Sequence, residues 1–238
     1  MALLQQRIHR QPSLASQVQA ALRDDIAMGK LARGERIVVE HLAEQLGVSP
    51  TPVREAVACL VQDGLICETP DGKLQVVPLT RDYVLDIFLV RSALEGLAAE
   101  LAATRMSIAD LTTLQQAIKS TTTALANRDY DVYVATDALL HRSVRTTAGS
   151  LVLSRELHAL EVHVAYIRGY SQRHVGDHLP LSHQEHRIVV EALVQRDALA
   201  ARRAMEQHIR QSGERIAQLI EFEDERASHR KRRELAAP

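Results

Sequence analysis

The sequence predicts a mainly α-helical chain in two parts. Three short helices closed by a two-stranded hairpin come first, and a bundle of long antiparallel helices follows. Three observations predict this. The chain is rich in Ala and Leu, with no Trp and only two Phe, so its core is aliphatic and its local preference is helical. Apolar residues recur at helical spacing through most of its 238 residues. Only the stretch 65–77 changes to short β-type runs around an Asp-Gly turn signal. This length suits two ordinary domains. We place them at 1–78 and 79–228, with 229–238 as a basic tail.

The first helix carries Leu14, Val18, Leu22 and Ile26 four apart on one face, with Ser13 to cap its start and Gly29 to end it. "GKLARGERI" breaks the pattern. "VEHLAEQLG" is a short helix turning Leu42 and Leu46 inward. Next comes "GVSPTPVREA", residues 47–56, with two prolines. A proline disfavours the α conformation of the residue before it. Pro50 and Pro52 therefore exclude Ser49 and Thr51 from the helix, leaving Thr51 as N-cap and Pro52 as the first helical residue. "VREAVACLVQDG" then places Val53, Val57, Leu60 and Val61 on one face and stops at Gly64. "LICET", "PDGK" and "LQVV" form the hairpin. Three helices and such a wing make a winged helix-turn-helix.

The N-terminus of the second helix in such a unit points into the major groove of DNA. Its free N–H groups and the Ser49 and Thr51 hydroxyls can meet phosphate oxygens. Arg54 can reach a guanine edge or a phosphate, and a bidentate guanine contact contributes roughly 1–3 kcal/mol of discrimination. Lys73 sits at the wing tip. Ser49, Thr51, Pro52, Arg54 and Lys73 are the expected DNA-contacting set. Bulk basicity does not support them: the net charge is -1, and residues 1–80 carry 8 Lys/Arg against 9 Asp/Glu. Any DNA contact is local. The blander reading makes Arg54 and Glu55 ordinary surface charges; the preceding short helix and the wing favour DNA.

From about Leu79 the pattern is helical only, over 80–105, 108–127, 130–147, 150–173, 183–196 and 198–226. Ser107 with Asp110, Asp129, and the Ser182–Glu185 capping box start three of these. "GDHLPLS" reads as a loop. Short links predict antiparallel neighbours. "HRKRRELAAP" reads as a solvated, frayed tail.

Eleven histidines make single ones uninformative. Asp137 and His141, however, lie four apart on one helix face. His186 and His208 sit on the next-to-last and last helices. One Asp and three His from three helices can converge in a bundle core on a divalent metal, with Zn favoured and Ni, Fe or Mn open. Surface histidines are the alternative. A competing cluster, His174, Asp177 and His178, lies among loop residues, and His158, His163 and His183 read as surface or supporting groups. Arg91 either pairs with Glu95 one turn on or faces a cavity as a clamp for an anion. Arg145, four after His141, is a second candidate; Arg168 and Tyr166 rank below it.

Residues 30–66 resemble the first domain of the GntR family of bacterial transcription regulators. The Gly34 turn, Leu42-Ala43, "LGVS", "TPVREA", Leu60 and "GLI" carry the resemblance. "VRSALEGLAAELA", with Arg91 and Glu95, resembles the opening helix of the effector domain of that family's FCD branch. The resemblance covers roughly 14–222 and implies a metal at Asp137, His141, His186 and His208, with an anionic effector near Arg91. Many relatives carry a DNA-contacting Arg where this chain has Pro50, and Asn where it has Ser150.

Cys59 and Cys67 fit a reducing compartment. "MALLQQRIHR" holds no signal-peptide core, and no apolar run suits a membrane helix. A cytoplasmic protein is expected. The expected function is a homodimeric repressor that binds a palindromic double-stranded DNA operator and responds to a small carboxylate metabolite on its metal. The alternatives are a metal-dependent enzyme, with Glu185 as general base, and a regulator for which the metal itself is the signal or is purely structural.

Overall fold

The computed structural model describes residues 12–171 and 178–235, with side chains over 12–170 and 178–226. The chain divides into two compact units, Met1–Pro78 and Leu79–Pro238. The first holds α1 (Leu14–Ala27), β1 (Arg36–Ile37), α2 (Val39–Leu46), α3 (Pro50–Gln62), β2 (Ile66–Glu68) and β3 (Leu74–Val76). The second is helical among its described residues: α4 (Arg81–Arg105), α5 (Ile108–Ala126), α6 (Tyr130–Ala148), α7 (Leu151–Ser171), α8 (Leu179–Val194) and α9 (Ala198–Leu235). Among the described residues no helix is long and apolar enough to cross a membrane.

In the first unit the four-apart residues of α1 do what their spacing predicts. Val18, Leu22 and Ile26 are buried, as are Val53, Val57 and Leu60 of α3, against which α1 packs. The Ser13 hydroxyl accepts from the Ser16 N–H at 3.1 Å and caps α1. Gly47, in the left-handed region, ends α2 and starts the turn to α3. β2 and β3 pair antiparallel, Cys67 facing Gln75, around a turn in which Gly72 has φ +74°. β1, which the sequence reading leaves as a break, pairs with β3 and completes a sheet of order β1-β3-β2.

Four boundaries differ from expectation. α3 begins at Pro50, so Ser49 is its N-cap, and no side-chain cap bond is made there. Thr51 and Pro52 lie inside the first turn. The first-turn N–H groups of a helix have no intrahelical acceptor, so two ring nitrogens fit there at no hydrogen-bond cost. α8 begins at Leu179, four residues before the expected start, with Pro180 in its first turn. Ser182 is therefore an internal residue and not a cap: its Oγ accepts the Tyr133 hydroxyl at 2.7 Å. Asp129 precedes α6 without a side-chain cap bond. α9 continues through Leu235, so the tail expected from 229 is helical that far; residues 236–238 lie outside the described residues, as do His174 and Asp177.

The bundle is built on α4 and α9, which pack along much of their length. Ala98, Ala99, Ala102 and Ala103 of α4 and Ala201, Met205, Ile209 and Ala217 of α9 are buried. Small residues bring the two helices close. A Cβ added to Gly213 would lie 2.6 Å from the Phe88 Cβ. α6 packs on α4 and α5, and α8 on α9 and α5, so α4, α6, α8 and α9 surround one interior.

Candidate metal centre

Each expected ligand lies on the buried face of its helix. On α6 that face runs Tyr133, Asp137, Leu140, His141, Val144; on α8, Ser182, His186, Val189, Leu193; on α9, Met205, His208, Ile209. Asp137, His141, His186 and His208 are all buried, and one ligand atom from each lies within 4.8 Å of the others. His186 Nε2 is 3.2 Å from His208 Nε2 and 3.4 Å from Asp137 Oδ1. His141 Nε2 lies 3.6 Å from Asp137 Oδ1, is buried, and has no hydrogen-bond partner.

Supporting groups orient these rings. A carboxylate only accepts, so His141 Nδ1–H donates to Glu95 Oε2 at 3.3 Å and His208 Nδ1–H donates to Glu185 Oε2 at 2.8 Å. In the neutral rings this leaves the Nε2 lone pairs facing inward, the arrangement metal-binding histidines use. The Tyr133 ring stacks on His186, with centroids 5.8 Å apart and planes at 15°. Arg215 grips both oxygens of Glu185, at 2.6 and 2.8 Å. Glu95, fully buried on α4, also accepts from Arg91 Nη2 at 3.3 Å. Arg168 Nη2 donates to Asp137 Oδ2 at 2.9 Å, leaving Oδ1 for the histidine side.

The charge balance follows. Burial opposes ionisation of Asp137, but Arg168 and His141 outweigh it and hold its pKa well below the ordinary range. Burial likewise opposes ionisation of Glu95, but His141 and Arg91 bring it down to about 2. For His141, burial disfavours the cation, yet Glu95 and Asp137 raise its pKa. Burial, reinforced by His208, pushes the His186 pKa well below its usual value; burial also lowers that of His208. Two neutral imidazoles, a third ring whose inner nitrogen lacks a partner, and one carboxylate oxygen make a donor set that fits a borderline divalent cation.

The other expected residues are placed as follows. Arg91 is buried, on Glu95, so both of its sequence readings meet at one residue: it pairs locally and it lies beside the cluster. The Arg145 guanidinium pairs with Glu161, and its Nε donates to the His141 carbonyl at 3.2 Å. Arg54 forms an exposed ion pair with Glu40 at 2.9 Å, and Lys73 pairs with Asp71 in the wing turn. Sequence reasoning ranked Arg168 too low and missed the hold of Glu95 and Glu185 on the rings. The spacing of Glu95 with the buried Arg91, Ala98 and Ala102 was the available signal.

The gntR family of bacterial regulatory proteins matches residues 14–73, and the FCD domain matches residues 86–211. The chain belongs to the GntR family. It is a DNA-binding transcription regulator of the FCD branch, not an enzyme. Its GntR relatives include a probable D-xylose utilization operon transcriptional repressor of Paenarthrobacter nicotinovorans, 30% identical over 83% of this chain and 86% of that one. The transcriptional repressor RspR of Escherichia coli strain K12 is 27% identical over 85% of this chain and 89% of its own. Among solved structures, E. coli McbR/YncC has the same fold with a TM-score of 0.65 at 24% identity, covering 87% of this GntR chain and 98% of its own. In a regulator, Glu185 serves as the anchor of His208 rather than as a base.

Proposed function

We propose that this GntR regulator is a homodimeric, cytoplasmic repressor whose operator affinity is set by a small organic acid at a divalent metal held by Asp137, His141, His186 and His208. The observation that carries the metal is the convergence of four buried donor atoms within 4.8 Å, including a buried nitrogen without a partner. The cation would supply a Lewis-acid anchor for a carboxylate. Arg91, buried beside the cluster, adds positive charge for an anion. Binding shifts an equilibrium only by its differential affinity for two states. Ligands on α6, α8 and α9, tied to α4 through Glu95, give the acid such a handle on the helix arrangement.

On the DNA side, the first turn of α3 offers its N–H groups, Ser49, Thr51 and Pro52, with Arg54 as its cation and Lys73 in the wing. The exposed Arg54–Glu40 pair is of the kind that stabilises by about 0–1 kcal/mol, so DNA competes for the guanidinium easily. A symmetric operator calls for a dimer. Exposed Leu89, Val90 and Leu97 of α4 and Leu151 and Val152 of α7 supply apolar surface for one.

The test is operator binding by chelated protein, by metal-loaded protein, and by metal-loaded protein with a panel of organic acids. The expected outcome is a change in affinity on adding one acid to the loaded protein. A response to chelation alone, with every acid silent, leaves the metal as the signal and rejects this reading. In the same assay Arg54→Ala is expected to weaken binding by about tenfold or more, the scale of a lost bidentate contact; unchanged affinity rejects the α3 assignment.

A further inference from the structure

The proposed function leaves the acid undefined; the charges around the centre define its class. Four guanidiniums and four carboxylates ring the cluster, and they match one to one: Arg91 with Glu95, Arg145 with Glu161, Arg168 with Asp137, Arg215 with Glu185. The protein side is therefore neutral pair by pair. Histidines bind a metal in their neutral form. A divalent cation on these ligands would leave two positive charges unmatched inside a largely buried site. Uncompensated buried charge is costly, and a ligand carrying two negative charges cancels it.

Arg168 shows where the second charge belongs. It is unlike Arg91, whose side chain is 8% exposed: Arg168 is 45% exposed and touches the ligand-bearing carboxylate from outside. Asp137 turns Oδ1 to the histidines and Oδ2 to Arg168, so the guanidinium stands one carboxylate group away from the donor cluster, on its solvent side. A guanidinium is a planar fork of five N–H donors. One arm can stay on Asp137 while another edge takes a second carboxylate. The charges of Arg168 and Arg145 are both felt at Arg91, which places all three on one side of the centre.

Resting on the metal-and-acid reading, we infer that the effector is a dicarboxylate, with one carboxylate at the cation and the second on Arg168, which thereby selects dianions over monoanions. The test is calorimetric titration of the metal-loaded full chain with propionate and acetate against succinate and malonate, with metal content measured in parallel. The better dicarboxylate is expected to bind about tenfold or more tightly than either monocarboxylate, the scale of one added charge-assisted contact. Arg168→Ala is expected to erase that preference while changing monocarboxylate affinity by less than about threefold; Arg168→Lys, a point charge without the fork, falls between. Equal affinity of wild type for mono- and dicarboxylates overturns the inference and leaves the proposed function standing, as does parallel loss of both in Arg168→Ala. Silence of all four acids on fully loaded protein overturns both. The wild-type comparison alone decides the matter if Arg168→Ala loses metal along with its hold on Asp137.

Discussion

His186 and His208 face each other through their Nε2 atoms at 3.2 Å, a spacing two neutral rings have little reason to adopt unaided. Removing both rings should strip the centre: we expect the combined His186→Ala, His208→Ala protein to purify with a small fraction of the wild-type metal. Full metal occupancy in that variant, by elemental analysis, moves the site elsewhere. Glu95 makes a second, pH-dependent prediction. Its pKa is about 2 in the fold against an ordinary 4.5. A depressed carboxylate pKa contributes stability that is fully present above the unfolded value and is lost as pH falls through the folded one. In metal-free protein, Glu95→Gln should cost about 3–5 kcal/mol at neutral pH, since it leaves buried Arg91 without its partner. Its stability should also fall less steeply than wild type between 4.5 and about 2. Urea titrations across that range check both; parallel slopes reject the role given to Glu95. Asp137 and His141 were legible because both lie on one helix within a single turn. Their supports were not, because the Glu185–His208 and Arg168–Asp137 pairs join different helices.

At the scale of elements, the close contact of α4 and α9 rests on glycine at 213. Alanine there drives a methyl into Phe88, and overpacking of this kind costs about 1–3 kcal/mol. Gly213→Ala is therefore expected to lower the denaturation midpoint despite its better helix propensity; a raised midpoint means that the two helices can part freely. Helical elements were legible wherever apolar residues recur over several turns, as in α1 with Val18, Leu22 and Ile26. The misses are short or terminal. β1 has two residues, too few for alternation to register. The early starts of α3 and α8 share one cause: proline was read as excluding helix before it, whereas Pro50 and Pro180 both sit within a first turn.

For the whole molecule, the consequence of the proposed dimer is a mass, measurable by light scattering. Val90 and Leu97 lie two turns apart on an exposed stripe of α4. Val90→Glu with Leu97→Glu should shift the wild-type dimer toward monomer and weaken operator binding. A dimer that survives both charges assembles through another face. The buried centre also bears on how long each molecule lasts. Whatever binds only the folded chain stabilises it by RT ln(1 + [L]/Kd). Without a cation, three clustered imidazoles and a nitrogen without a partner sit where α6, α8 and α9 must close. Open conformations are then more frequent and cleavage by proteases faster. Starvation for metal would thus thin the population of repressor molecules as well as silence those that remain, and relief of repression would persist until new chains were made and filled.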